Sequence, residues 1–296
     1  MALPPAASPL LQSRSNDLLQ VSAPNDLRSL VYRHQPALPK PGFHPLVTPR
    51  GHMLTGWEMS DHLWHRGLWF TVKFINNKNF WEERAPFGVQ ASASVPRTEE
   101  MSDGSLRMVH NLQWVSPTAG VVLTESRIVT MRLAADGVTT LDWDTTLKAT
   151  NAVTLDRTPF TTWGGYGGLA FRGHRGLHEV DFLLPDGRTV PGISGDSHPW
   201  VVLQGRHDGG ADERVSICFI DHPENPGHPV PWYAKANSGF SFINAAFLFH
   251  APMIVAAGES IRLRYRLLYR DGRWPVDAVA ALAADFRTSS TPILIS

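Results

Sequence analysis

The feature that most restricts this chain is a period of two in its apolar residues. Over residues 106–114, Leu106, Met108, Leu112 and Trp114 share one face with His110, while Arg107, Asn111 and Gln113 fall on the other. Leu141, Trp143, Thr145 and Leu147 alternate with Asp142, Asp144 and Lys148. Ile261, Leu263, Tyr265, Leu267 and Tyr269 alternate with Arg262, Arg264, Arg266 and Arg270. Successive side chains of a strand point to opposite faces, so the pattern predicts half-buried antiparallel strands. Asp-Gly pairs at 136–137, 186–187, 208–209 and 271–272 supply the turns between them. One helix is predicted near the C-terminus. Pro275 suits a first helical position, Asp277 complements the N-terminal dipole, and Val276, Val279, Ala280, Ala283 and Phe286 space as one apolar face. The fold class that follows is all-β: a large antiparallel β-sandwich with one short C-terminal helix. Residues 1–20 read as a flexible lead-in and 21–296 as a single domain, with a Pro-rich extended loop around Pro36, Pro39, Pro41 and Pro45.

Charge and composition exclude several function classes. Basic and acidic residues both number 27, so the formal net charge is zero and nothing favours a nucleic acid or an anionic membrane as partner. No segment approaches 18 consecutive apolar residues, which excludes a spanning helix, and the first residues lack the apolar stretch of a signal peptide. Cys218 is the single cysteine, so no intramolecular disulfide forms; its apolar strand-like surroundings read as core. A reducing, cytoplasmic location is expected, with a homodimer as the default assembly.

Polar residues that break the alternation point to function. Over residues 121–131, Glu125 and Arg127 share a face with Val121, Leu123, Val129 and Met131. With His110 on the apolar face of its own strand, the three predict a polar concavity in the sheet, a register shift or bulge, or an internal ion pair without a ligand. The densest cluster is Asp61-His62-Leu63-Trp64-His65-Arg66-Gly67-Leu68-Trp69-Phe70, an acid, two imidazoles, a guanidinium and two indoles leading into a strand. Buried imidazole and guanidinium cost free energy unless paired, so structure alone seldom needs that mixture. Thr161-Thr162-Trp163-Gly164-Gly165-Tyr166-Gly167-Gly168-Leu169 lacks the Gly-x-Gly-x-x-Gly spacing, which argues against a nucleotide and for a tight bend displaying Trp163 and Tyr166. Asp221-His222-Pro223-Glu224-Asn225-Pro226 and Pro231-Trp232-Tyr233-Ala234-Lys235 repeat the mixed character, and His44 lies in the Pro-rich passage. Aromatic rings stack on the C–H faces of sugars while polar groups read hydroxyls, so Trp69, His110, Arg127, Trp163, Tyr166, Asn225, Trp232 and His44 are the expected substrate contacts.

The stretch at 61–70, together with Asn79-Phe80-Trp81, Tyr166-Gly167-Gly168-Leu169, Asp221-His222-Pro223-Glu224-Asn225-Pro226 and Trp232, resembles the PmoA-like family of bacterial proteins over roughly residues 30–272. That family's opening reads Asp-His-Pro-His-His-Arg-Gly-Leu-Trp; Leu63-Trp64 stands here at the Pro-His positions, so one family histidine is absent. The name refers to a membrane subunit of methane monooxygenase, an activity excluded for a chain without a span. The resemblance implies a galactose mutarotase-like supersandwich and a place in carbohydrate catabolism, with a sugar or glycoside as the small-molecule partner.

The chemistry expected is acid–base catalysis on a sugar or keto-sugar, through elimination, hydration or epimerisation. A carbonyl acidifies its neighbouring C–H, and a neutral imidazole removes such a proton near pH 7. His65 is the expected base or acid, Arg66 the stabiliser of developing oxyanion charge, and His62 or His222 the complementary donor. Asp61 or Asp221 would orient an imidazole, with Glu125 in reserve. No particular cofactor is implied by the sequence; His62 and His65 with a carboxylate would suit a divalent metal ion. The alternatives are a non-catalytic carbohydrate-binding or accessory protein, and an aldose mutarotase.

Overall fold

In a computed structural model of the chain, the described residues are 10–15, 17–158, 164–208 and 213–289. They form two large antiparallel sheets. The first has nine strands in the order Leu11–Arg14, Leu18–Ser22, Ser29–Arg33, Gly42–Val47, Leu68–Val72, Gly167–Arg172, Phe240–Ala245, Pro231–Asn237 and Gly192–Ser197. The second has ten, dominated by Leu106–Ser116, Gly120–Leu133, Thr139–Ala149, Ser260–Asp271, Arg214–Asp221 and Trp200–His207.

The alternating pattern sets which side of each strand meets the other sheet. Phe43, Phe70 and Phe171 of the first sheet pack with Trp114, Trp143 and Phe219 of the second, ring centroids 5.8–6.2 Å apart. Each ring buried this fully contributes about 1.5–3 kcal/mol. On the far side of the second sheet, Arg266 donates to Asp142 and Asp285, and Arg262 to Asp144. The same face receives the C-terminal helix Val276–Thr288, whose Val279, Leu282 and Phe286 pack on Trp200, Val202, Cys218 and Ile220. Pro275 caps this helix from one position earlier than read, and Leu282 takes the buried place expected of Ala280, which is exposed. Burial pushes the Cys218 thiol well up, which makes it an inert core group.

Two boundaries move. The lead-in read over residues 1–20 gives way to strands Leu11–Arg14 and Leu18–Ser22, which pair at the edge of the first sheet. The passage read as an extended loop includes strand Gly42–Val47, where Pro45 is accommodated at a register shift opposite Leu30 and Tyr32. No helix of the described residues is long and apolar enough to cross a membrane.

Candidate functional site

On strands Leu68–Val72, Gly167–Arg172 and Phe240–Ala245, residues Phe70, Phe171 and Ile243 point into the space between the sheets. Their neighbours Trp69, Ala170 and Phe242 therefore point outward, where they pack together with Trp81. All five residues of Leu68–Val72 are buried, so a second layer covers this outer face. Two segments make it. One is the hairpin of Trp57–Met59 with His62–Arg66. The other is the hairpin of Phe74–Ile75 with Lys78–Asn79, turned by Asn76 and Asn77 at φ of 48° and 61°, a left-handed conformation that Asn tolerates. Asn79 Oδ1 then accepts from the backbone N–H of Trp81 (2.8 Å) and Glu82 (3.1 Å), a side-chain turn that sets both residues in place.

Between floor and cover lies a cavity of about 500 Å³, inside the range of about 300–1,000 Å³ usual for small-molecule sites. Its apolar lining is Trp64, Trp81, Tyr166, Tyr233, Phe240 and Phe242; its polar lining is His62, His65, Lys73, Asn79, Glu82, Arg84, Thr158 and Lys235. Trp81 stacks on Tyr166 with centroids 5.0 Å apart. His65 lies against Trp69 (5.0 Å) and Phe242 (5.3 Å), and His62 stacks on it at 4.5 Å and 17°. Burial, then the neighbouring His62, Arg172, Lys40 and Arg66, hold the His65 imidazole well below the usual histidine range. His65 is therefore neutral at pH 7, and its buried Nδ1 has no hydrogen-bond partner among the described residues. His62 stands further out, with Nδ1 3.3 Å from Asp61 Oδ2, which also accepts from Arg172 Nη2 at 2.7 Å. Burial opposes ionisation of Asp61, but Arg172 and His62 outweigh it and keep the carboxyl below its usual range. Glu82 is engaged by Lys73 and by Asn79 Nδ2 (2.8 Å). Burial and the neighbouring Tyr233 push the Tyr166 phenol far up, so it acts as a hydrogen-bonding group and not as an anion. A second depression of about 420 Å³ shares His62, Lys235 and Phe240 and adds Asp61 and Arg175.

A family model described as a family of unknown function, DUF6807, matches residues 23–284. The chain belongs to the DUF6807 family. This corrects the PmoA-like reading of the sequence: the match covers nearly the same residues and points to DUF6807 instead. A search of the curated proteins finds no match. Among solved structures, the DUF6807 chain is similar to a putative aldose 1-epimerase from Klebsiella pneumoniae, at 11% identity over 94% of this chain and 87% of the other, TM-score 0.43. A galactose mutarotase related enzyme from Lactobacillus acidophilus matches at 8% identity over 88% and 97%, TM-score 0.40. An α-galactosidase from Lactobacillus brevis matches at 11% identity over 88% of this chain, TM-score 0.45, and this chain spans only 39% of its length. Scores this low leave the chemistry to this chain's own residues.

The remaining residues singled out in the DUF6807 sequence lie apart from the cavity. Arg66 follows His65 on the strand and points the other way, where Glu58 and Glu83 engage it under Trp57. An ion-paired guanidinium there stabilises no oxyanion in the cavity. Of the sequence alternatives for Glu125, Arg127 and His110, the internal ion pair is what forms. Arg127 Nε and Nη2 donate to Glu125 at 2.7 and 3.0 Å, and both side chains are fully buried between the sheets. Arg127 also donates to Tyr32, whose hydroxyl lies 2.8 Å from His110 Nδ1, and burial pushes that phenol up to about 12. Burial, then Arg127, brings His110 down to about 3. His222 lies beneath the C-terminal helix against Phe286, with burial and then Arg264 taking it down to about 4. Asn225 Nδ2 donates to Asp221 (2.7 Å) and to the Arg264 carbonyl (2.6 Å), which ties a turn together far from the cavity. Asp221 lies 2.7 Å from His228 Nδ1 in the same turn. Trp232 points into the inter-sheet core and its neighbour Tyr233 into the cavity. His44 bonds Thr55 and stacks on Trp57. Trp69 lies under the cavity floor, and Trp163 falls outside the described residues.

Metal chelation by His62 and His65 is not favoured by their arrangement. Face-to-face rings 4.5 Å apart hold their nitrogen lone pairs side by side and not converging. Among the described residues no group of three His, Cys, Asp or Glu side chains is placed to hold a metal ion. Sequence reasoning left out Lys73, Glu82, Arg84, Phe240 and Phe242 of the lining. The Asn76-Asn77 pair was the available signal for the first three, because it marks the hairpin that carries them over the sheet.

Proposed function

We propose that this protein is an enzyme that performs acid–base chemistry on a sugar bound in the cavity of about 500 Å³. The carrying observation is the His62–His65 pair: an imidazole kept neutral by burial, stacked on a second, more exposed imidazole, at the wall of an aromatic cavity. Neutral His65 is the base that takes a proton from a sugar carbon next to a carbonyl or from a hydroxyl. His62, more exposed on the same wall and with Asp61 beside it, is the complementary group that returns a proton to the substrate. Trp64, Tyr233 and Phe240, the half-buried aromatics of the lining, offer the rings on which sugar C–H groups stack, and Asn79, Thr158 and Glu82 the polar atoms that read hydroxyls. Epimerisation, or elimination from a keto-sugar, is the finer form of this reading.

Mass-spectrometric product analysis with a panel of free sugars, glycosides and their 3-keto derivatives tests it. Turnover by the wild type, lost in His65→Ala while ligand binding persists, is the expected result. Unchanged turnover in His65→Ala removes His65 from the mechanism. Binding without turnover in the wild type would favour a carbohydrate-binding protein.

A further inference from the structure

The charges around the cavity do not cancel, and the excess has one sign. Lys73, Arg84 and Lys235 line it together with a single carboxylate, Glu82. Lys73 is spent on Glu82. Arg84 rests on the ring of Trp64, 5.4 Å from its centroid, and neither Arg84 nor Lys235 has a carboxylate within ion-pair distance among the described residues. Other nearby acids are already engaged: Asp61 by Arg172 and His62, and Glu83 by Lys40 and Arg66. Lys235 borders both depressions, and the outer one adds Arg175, 3.7 Å from Asp61. Because the formal net charge of the chain is zero, this positive surplus belongs to the site and not to the surface at large. Clefts lined by one sign of charge concentrate counter-ions of the other.

From this we infer that the sugar recognised here carries an anionic group, a carboxylate or a phosphate, held between Arg84 and Lys235 while the ring lies on the aromatic floor. The inference rests on the proposed function, since it names the substrate class of the same cavity. Guanidinium and ammonium groups both donate charge-assisted hydrogen bonds to such oxygens, and Arg84 is already oriented by Trp64.

Titration calorimetry of the full chain with a hexose, the matching hexuronate and the matching hexose phosphate separates the possibilities. The acidic sugars should bind at least tenfold more tightly than the neutral one, about 1.4 kcal/mol, and the tighter of the two identifies the group. Arg84→Gln and Lys235→Gln should each weaken the acidic ligand about tenfold, weaken the neutral one by much less, and flatten the salt dependence of acidic-ligand binding. Both side chains are exposed, so these variants are expected to fold. Equal binding of neutral and acidic sugars would overturn this inference and leave the proposed function standing. Binding of neither class overturns both.

Discussion

Breaking the internal ion pair should cost far more than any surface charge. Glu125 accepts from Arg127 Nε and Nη2, Trp114 Nε1 (2.8 Å) and Thr145 Oγ1 (2.9 Å), and neither it nor Arg127 is exposed to solvent. In Glu125→Leu the Arg127 guanidinium stays buried with only Tyr32 and Gln90 as acceptors. Removing one partner of a buried pair costs about 3–5 kcal/mol, because the remaining charge is left without compensation. Arg127→Met should lose a similar amount from the other side. The double variant should then lose much less than the sum, since no uncompensated charge remains. Buried contacts of this kind couple by up to about 3 kcal/mol. Trp114 Nε1, the Thr145 hydroxyl proton and Gln90 Oε1 would still lose their partners, each at about 1–3 kcal/mol, so full recovery is not expected. Urea unfolding of the four proteins supplies the cycle. A coupling energy below about 0.5 kcal/mol would refute the reasoning, because contacting residues in one network should exceed it.

Three further outcomes follow from the structure. Stability should fall as pH drops from 7 to 5, because His110 and His222 titrate at about 3 and about 4 when folded and near the usual histidine value when unfolded. The unfolded chain binds more protons in that window, so each contributes stability that is complete above about pH 6.5 and lost toward acid at up to about 1.4 kcal/mol per pH unit. Urea midpoints that stay flat from pH 7 to 5 would contradict this. Gly168→Ala places a Cβ 2.2 Å from the Ala245 carbonyl oxygen at φ +109°. It should cost at least about 1–3 kcal/mol, and an unmoved midpoint would mean that the strands cross differently there. Phe286→Ala should remove about 3–5 kcal/mol by emptying the helix's main contact with Arg266 and His222, and calorimetric melting measures it.

The sandwich was legible because strand alternation is a local signal carried on many residues, and the C-terminal helix because its apolar spacing changes period. The site was legible only as a neighbourhood. Adjacent strand residues face opposite ways, so no sequence pattern shows that His65 turns toward the cavity and Arg66 away from it, or that Tyr233 and not Trp232 lines it. The mixed clusters at Glu125–Arg127 and Asp221–Asn225 use the same residue types as a site, yet their partners come from strands far along the chain and satisfy them internally. Lys73, Glu82 and Arg84 reach the cavity only because a hairpin folds back over the sheet, a placement decided by tertiary packing.

Interleaving of core and site on strand Leu68–Val72 has a consequence for how such a protein can diverge. Phe70 belongs to the layer that joins the sheets and Trp69 to the layer under the cavity, one residue apart. Deleting or inserting a single residue here would exchange the two sets at once, placing indole where the sheets meet and phenylalanine under the ligand. The strand can therefore change identity position by position but not length. New ligand preferences have to accumulate on the outward-facing positions and at cover residues such as Glu82 and Arg84, which line the cavity outside the joint that Ile75 and Phe80 help to fill.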